Sequence, residues 1–319
     1  MGTPQVLILL HHADNSLRYR EGEGFDGYLI EALIREWKAM GYTIQVVHGI
    51  DQQVPADLVI PHLNLTIIPQ EYRDFLQAYP NVMNRHVVDI SKSRISSHLV
   101  GRHDAYAGPV IVKTDRNHGG VPEQRLFPRA RLGQARWAGV ARRVLWQKKL
   151  RSAARRLLDN LDRRGRGSVS WRSVQTLDPD AYPIFPSIRD VPDGVFENKN
   201  LVVEKYLPEI TEGDACARCY YFLGSAGISF LFRSKQIEGV PAVTAYRAEE
   251  VPTPEELRAI REQLGFDYGK FDYVLHEGQV VLFDVNRTPN TAALRKWGLI
   301  DAVATLLARG IQPRLTSAA

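Results

Sequence analysis

The sequence predicts a mixed α/β chain of the α+β kind, with a small parallel unit first and antiparallel strands after it. Three observations carry this expectation. The first ~90 residues alternate apolar runs with amphipathic stretches, as strand–helix–strand units do. The second half holds five further strand candidates, the last two joined through the short polar connection His276-Glu277-Gly278. Between the halves lies a strongly basic stretch with helical spacing.

Val6–His12 is an apolar run without helical period, which fits a buried strand. Over Asp26–Met40 the apolar residues Tyr28, Leu29, Ala32, Leu33 and Trp37 form one helical stripe, and Gly41 stands where the helix would stop. Thr43–Val47 and Ala56–Pro61 read as strands and Glu71–Tyr79 as a helix. Pro109–Lys113 is rich in β-formers. From Arg136 to Leu161, Trp146, Leu150, Ala153, Leu157 and Leu161 recur at spacings of three and four, and Gly165 and Gly167 close that helix. Leu201–Tyr206, Ala215–Leu223, Ile228–Arg233, Phe271–His276 and Val280–Val285 are the later strands. Pro254–Leu264 reads as a short helix capped by Thr253 and ended by Gly265, and Ile300–Ala308 as the last helix.

Composition narrows the class. The 319 residues include 44% hydrophobic and 24% charged side chains, ordinary for a globular protein and unlike a disordered or collagenous one. No apolar run approaches the ~20 residues of a membrane span. The first apolar run lacks a basic region before it, so the expectation is a cytoplasmic protein without a signal peptide. Two cysteines, in Cys216-Ala-Arg-Cys219, make no disulfide framework, and three positions apart on a strand they face opposite sides. The net charge of +5 conceals an asymmetry. Residues 125–172 carry 15 Lys and Arg against Asp159 and Asp162 alone, an excess of 13 that leaves the rest of the chain at −8.

Several residues are placed for chemistry. His11, His12, His62 and Asn64 lie at or just past the carboxyl ends of the first and third strands, the edge where open α/β sheets bind ligands. Lys113 ends a strand before a loop containing Gly119 and Gly120, which brings a charge and open N–H groups within reach of a phosphate. Asp284 and Asn286 are two apart on one strand, with Asp272 on the strand before. Two carboxylates and an amide oxygen are hard donors suited to Mg²⁺.

Taken together and in order, these pieces resemble the ATP-grasp superfamily, over roughly Asp89–Asn290. D-alanine–D-alanine ligases, glutathione synthetases and peptide-tail glutamate ligases show the pattern, and this chain resembles an outlying branch. The resemblance implies an N-terminal α/β domain over 1–91, a lid subdomain over 92–203 containing the basic insertion 125–172, and a C-terminal antiparallel subdomain over 204–319. It assigns Lys92 (in Ile90-Ser-Lys-Ser) and Lys113 to the ATP phosphates, with Gly119 and Gly120 in the loop over them. Glu204, with the backbone of Lys205 and Leu207, would read adenine, and Glu209 or Glu212 would hold the ribose. Arg233 matches a basic residue near the terminal phosphates, and Asp272, Asp284 and Asn286 match the metal ligands. Relatives more often carry Glu where this chain has Asp284. Lys270 and Arg218 match positions that steady the reacting groups.

The implied activity is a ligase that uses ATP and Mg²⁺, with Mn²⁺ as a substitute, to join a small-molecule or peptide carboxylate to an amine through an acyl phosphate. Two alternatives stay open: a small-molecule kinase on the same fold, and a nucleotide- or polyanion-binding protein without ligase chemistry. The basic segment is either a solvated helix face or a dock for an acidic partner. The resemblance also allows a homodimer.

Overall fold

The computed structural model describes residues 3–14, 27–126, 171–179, 181–235 and 244–316. The expected helix over Arg136–Leu161 and nearly all of the basic segment lie outside the described residues. Three sheets organise the rest. In the first, β1 (Gln5–Leu10) lies between β2 (Thr43–His48) and β3 (Leu58–His62), and both pair with it in parallel. Helix α1 (Leu29–Ala39) provides the crossover, burying Leu29, Ala32, Leu33 and Trp37 as its sequence period requires. Gly41 follows in the left-handed region at φ 86°. Helix α2 (Gln70–Gln77) covers the other face through Tyr72 and Leu76.

Helix α3 (Lys92–Ile95) leads into the second sheet, where β4 (Val110–Thr114) is flanked by β5 (Ile184–Phe185) and β6 (Leu201–Lys205), all antiparallel. The short helix α4 (Val121–Leu126) follows the loop after β4. The third sheet is antiparallel and six-stranded. Its order is β10 (Arg247–Val251), β9 (Ala226–Ser234), β8 (Asp214–Leu223), β11 (Tyr268–His276) and β12 (Gln279–Asn286), with β7 (Glu209–Thr211) pairing with β8. Glu277 and Gly278, both at positive φ, form the turn between β11 and β12.

Period-two alternation divides the large sheet between two cores. Cys219, Tyr221, Leu223, Phe230, Phe232 and Tyr268 face the N-terminal sheet, sharing a core with α1 and with α6 (Ile300–Ala308). Tyr220, Phe222, Phe271 and Tyr273 face the other way, against α5 (Glu255–Gln263) and against Val87 and Ile90. Each such side chain contributes about 1.5–3 kcal/mol when fully buried. The Trp37 indole N–H also donates to the Ala308 carbonyl at 3.0 Å, joining α1 to α6.

Two local expectations differ from the structure. Pro254, not Thr253, occupies the cap position of α5, and the Thr253 hydroxyl instead meets that of Ser229 at 2.8 Å. Strand β10, Arg-Ala-Glu-Glu-Val, has too few apolar residues to be read from its sequence, because an edge strand buries little. Among the described residues no helix is long and apolar enough to cross a membrane.

Candidate active site

The lysines and acids expected to act together come together. Lys92 opens α3 and is almost wholly buried, and its ammonium donates to Asp284 Oδ1 on β12 at 3.2 Å. Lys113, near the end of β4, reaches across to Glu204 Oε2 on β6 at 2.6 Å, with the two side chains 8% and 3% exposed. The register makes this contact: Ile111 is opposite Glu204 and Lys113 opposite Val202, so Lys113 and Glu204 stand on one face. The second Glu204 oxygen is buried without a hydrogen-bond partner. Lys113 also lies 5.4 Å from the centre of the Phe283 ring.

On the large sheet, Asp272 is opposite Asp284 and Lys270 opposite Asn286. The Lys270 ammonium lies 2.8 Å from Asp272 Oδ2. Asn286 Nδ2 donates to Asp284 Oδ2 at 3.1 Å and to Asp272 Oδ2 at 3.4 Å, so one amide spans both carboxylates. The Cys219 thiol lies 3.0 Å from Asp272 Oδ1. Burial disfavours the Asp284 anion, but Lys92, Lys270 and Lys113 outweigh it and hold its pKa below the usual value. Burial likewise opposes the Lys92 and Lys270 cations, while Asp284 and Asp272 respectively reverse the balance. Lys92, Lys270 and Asp284 therefore stand ionised at neutral pH.

Among the described residues no three His, Cys, Asp or Glu side chains are arranged as a metal site. Asp272, Asp284 and Asn286 nevertheless fit a hard divalent cation. Each carries a hard oxygen, the two carboxylates face one another beneath the Asn286 amide nitrogen, and Asp284 stays ionised; a cation drawing on Asn286 would need its amide turned to present the oxygen.

The loop after β4 touches this cluster, where the Lys92 ammonium donates to the Arg116 carbonyl at 3.4 Å. His118, Gly119 and Gly120 take φ values of 44°, 67° and 77°. A Cβ on Gly119 would collide with the Leu177 carbonyl, so glycine is required there. The loop is tied down from the N-terminal side: Asn117 N–H donates to Thr66 Oγ1 at 2.9 Å, and the Thr66 N–H donates to Glu123 Oε1 at 2.8 Å. Thr66, Glu123, Phe283 and Tyr182, whose hydroxyl lies 3.5 Å from Thr114 Oγ1, were not legible as site residues. Neither was Arg287, which is 2% exposed and donates to the carbonyls of Leu65, Thr66, Val87 and Val88.

Other expected residues stand apart from the cluster. Arg218 is held by Glu209 through three contacts of 2.8–3.2 Å, and Glu209 also accepts from the Leu275 N–H at 2.7 Å. Arg218 points from β8 to the face opposite Cys219. Arg233 pairs with Glu249 at 3.1 Å and lies 3.9 Å from Glu212, whose side chain is 85% exposed in the turn before β8. Lys205 stacks on Tyr106 at 5.2 Å, and Leu207 follows it beyond the end of β6.

At the carboxyl edge of the first sheet, the His12 N–H donates to the Tyr72 hydroxyl at 2.8 Å, and the His11 and His12 rings are 4.2 Å apart. Asn64 bridges Tyr28 at 2.7 Å and Thr288 at 3.2 Å, linking this edge to the segment after β12. His62 is wholly buried, with neither ring nitrogen hydrogen-bonded. Burial lowers its pKa to about 4.

No family model matches the sequence, and no curated protein does. Solved structures do match. A RiPP-associated ATP-grasp ligase from Chryseobacterium gregarium, in complex with ADP and a leader and core peptide, aligns with a TM-score of 0.52 at 9% identity over 96% of this chain and 96% of that chain. A RimK domain ATP-grasp protein from Sphaerobacter thermophilus gives 0.45 at 10% identity, over 96% and 99%. A D-alanine–D-alanine ligase from Bacillus anthracis gives 0.43 at 13%, over 99% and 99%. A small parallel sheet followed by two antiparallel sheets, aligned end to end with the Chryseobacterium enzyme, identifies the architecture: the chain has the ATP-grasp fold.

Proposed function

We propose that this protein is an ATP-dependent ligase that activates a carboxylate and transfers the acyl group to an amine. The observation that carries the proposal is the largely buried cluster of Lys92, Lys113 and Lys270 with Glu204, Asp272, Asp284 and Asn286. Lys92, Lys113, Lys270 and Glu204 are buried, and burying four charges is costly unless each has work and partners.

In this reading Lys92 and Lys113 hold the ATP phosphates, and the loop at Gly119 and Gly120 closes over them. The unpartnered Glu204 oxygen accepts from the adenine amino group, beside the backbone of Lys205 and Leu207. Glu209 is committed to Arg218 and Leu275, which leaves the exposed Glu212 for the ribose. Mg²⁺, held by Asp272, Asp284 and Asn286, offsets negative charge on the phosphate oxygens when bound. The substrate carboxylate attacks the terminal phosphorus, the bond to ADP breaks, and an acyl phosphate forms. The amine nitrogen then attacks the acyl carbon, the C–O bond breaks, phosphate leaves and the amine proton passes to solvent. Lys270 steadies the reacting carboxylate, and the cations around the cluster lower the charge barrier before any reorganisation. Arg218 and Arg233 enter through their ion pairs, as positioning residues on the large sheet.

The substrate is a peptide or small-molecule acid. His11, His12 and Asn64, at the carboxyl edge of the first sheet, line its approach, and His62 lies buried behind them. An acidic partner for the basic segment 125–172 is a separate reading, supported by its charge alone; it predicts association with a polyanion that salt abolishes.

The test is product analysis with ATP, a panel of carboxylates and hydroxylamine as the nucleophile. The proposal expects ADP, phosphate and a hydroxamate, all dependent on the carboxylate. A phosphorylated product that survives the nucleophile would instead make the protein a kinase.

A further inference from the structure

We infer that this protein has a second anion site, on the face of the large sheet opposite Cys219 and Asp272, built for a small molecule carrying two or more phosphate groups. A cavity of about 720 Å³ opens there between α5, the turn joining β8 to β9, the loop over residues 80–86 and the C-terminal Arg314. That volume lies within the range of small-molecule sites, ~300–1,000 Å³. It is separate from the lysine cluster. Asp267 lines the cavity, and Asp272 lies five residues further along β11, ~17 Å at ~3.3 Å per residue.

The lining is cationic. Arg85, His86, Arg258, Arg261 and Arg314 contribute to it, against the acids Glu262 and Asp267. Asp267 is already taken, by the Arg314 guanidinium and by the Asn84 N–H at 2.8 Å. The other arginines have no carboxylate partner among the described residues.

Arg261 shows the design most clearly. Its guanidinium donates to the carbonyls of Gly224 at 2.7 Å, Phe266 at 2.9 Å and Asp267 at 3.2 Å, and to the Tyr220 hydroxyl at 3.1 Å. It also stacks on Phe222 at 4.2 Å. These acceptors are neutral, so they fix the group in place and leave its charge uncancelled. Arg85 is fixed the same way, by the carbonyls of Leu76, Tyr79 and Pro80. Two preorganised guanidinium groups therefore face one cavity. Arg258 stands one turn before Arg261 on α5, on the same helix face, and is exposed with His86 at the mouth. Like charges gathered this way repel one another unless a counter-charge enters. Four of the five Arg261 N–H groups and three of the five on Arg85 are used in this way, so these two supply mainly fixed positive charge, and the exposed Arg258 supplies the guanidinium fork that matches phosphate oxygens. The cavity has room for more than one phosphate.

The test is calorimetric titration of the full chain with inorganic pyrophosphate, in the wild type and in the exposed-residue variant Arg258→Ser/His86→Ser. The proposal expects two pyrophosphates per wild-type chain. The variant should lose one of them, by tenfold or more in affinity, while keeping the same stabilisation by ATP. Glu262→Gln should tighten that same site. Citrate should bind it at least tenfold more weakly than pyrophosphate. Pyrophosphate binding unchanged in the variant, or equal binding of citrate, would overturn the assignment.

Discussion

Substituting Lys113 tests whether the cluster is held together by its charges. In Lys113→Met the Glu204 carboxylate, 3% exposed, loses its partner at 2.6 Å. The next cation is already engaged, since Lys92 lies 3.2 Å from Asp284. Removing one member of a buried pair costs about 3–5 kcal/mol, because the remaining charge is stranded. In urea, with a slope of ~3 kcal/mol/M, this moves the unfolding midpoint down by about 1–2 M. The double variant Lys113→Met/Glu204→Leu removes both charges and fills the space with apolar side chains. It should recover to within ~1–2 kcal/mol of wild type, since buried pairs often exchange for hydrophobic ones at little cost. ATP binding should be lost in both variants, because the proposed role of Lys113, holding phosphate oxygens, needs an ammonium that no apolar group replaces. The assay is a double-mutant cycle by urea denaturation, with ATP binding measured on the same samples. A loss below 1 kcal/mol in Lys113→Met, or a double variant no more stable than the two single effects added, would refute the reasoning.

Three further outcomes follow from the same structure. The His62 pKa falls from 6.5 to about 4 on folding, so the unfolded chain binds this proton more readily. The ring costs nothing above pH ~6.5, and stability falls by about 3 kcal/mol as the pH drops towards 4; His62→Gln should remove that slope in urea unfolding at pH 7 and 4.5. Arg287→Met should cost about 3 kcal/mol and weaken ATP binding as well, because four carbonyls lose their donor beside Asn286; Arg287→Lys should recover part of the loss, and an unchanged unfolding midpoint would contradict this. Cys216 and Cys219 are free and buried, and burial, with Asp272 beside Cys219, raises the Cys219 thiol well above its usual pKa. Both should react with a thiol reagent only in denaturant, and rapid labelling of native protein would argue against the placement of β8.

Much of this architecture was legible in the sequence. Strands β1, β3, β8, β9, β11 and β12 could be read because buried strands are rich in apolar residues, and Ile300–Ala308 matches α6 residue for residue. The pairing of Asp272 with Asp284 follows from a tight turn and a two-residue period. Contacts between distant segments were beyond reach by spacing alone. Lys113 and Glu204 are 91 residues apart, and only the ordered resemblance to a known fold placed them in one site. Arg287 gave no signal at all: an arginine just past the end of β12 looks like surface charge until the fold brings four carbonyls around it. Arg218 looked like a residue of the reacting centre, because no local pattern announces that Glu209 will hold it on the other face of the sheet. Thr253 looked like a helix cap because its residue type suits the position, yet its hydroxyl found Ser229 across the sheet.

The central claim is that Lys92, Asp284 and their neighbours bind Mg²⁺ and ATP together. Titration calorimetry of ATP into wild type and Asp284→Ala, each with and without Mg²⁺, tests it most directly. The account predicts micromolar-range ATP binding by wild type that strengthens at least tenfold with Mg²⁺, and an Asp284→Ala variant in which Mg²⁺ makes no difference. Binding that ignores Mg²⁺ in wild type, or that keeps its Mg²⁺ dependence without Asp284, would contradict it.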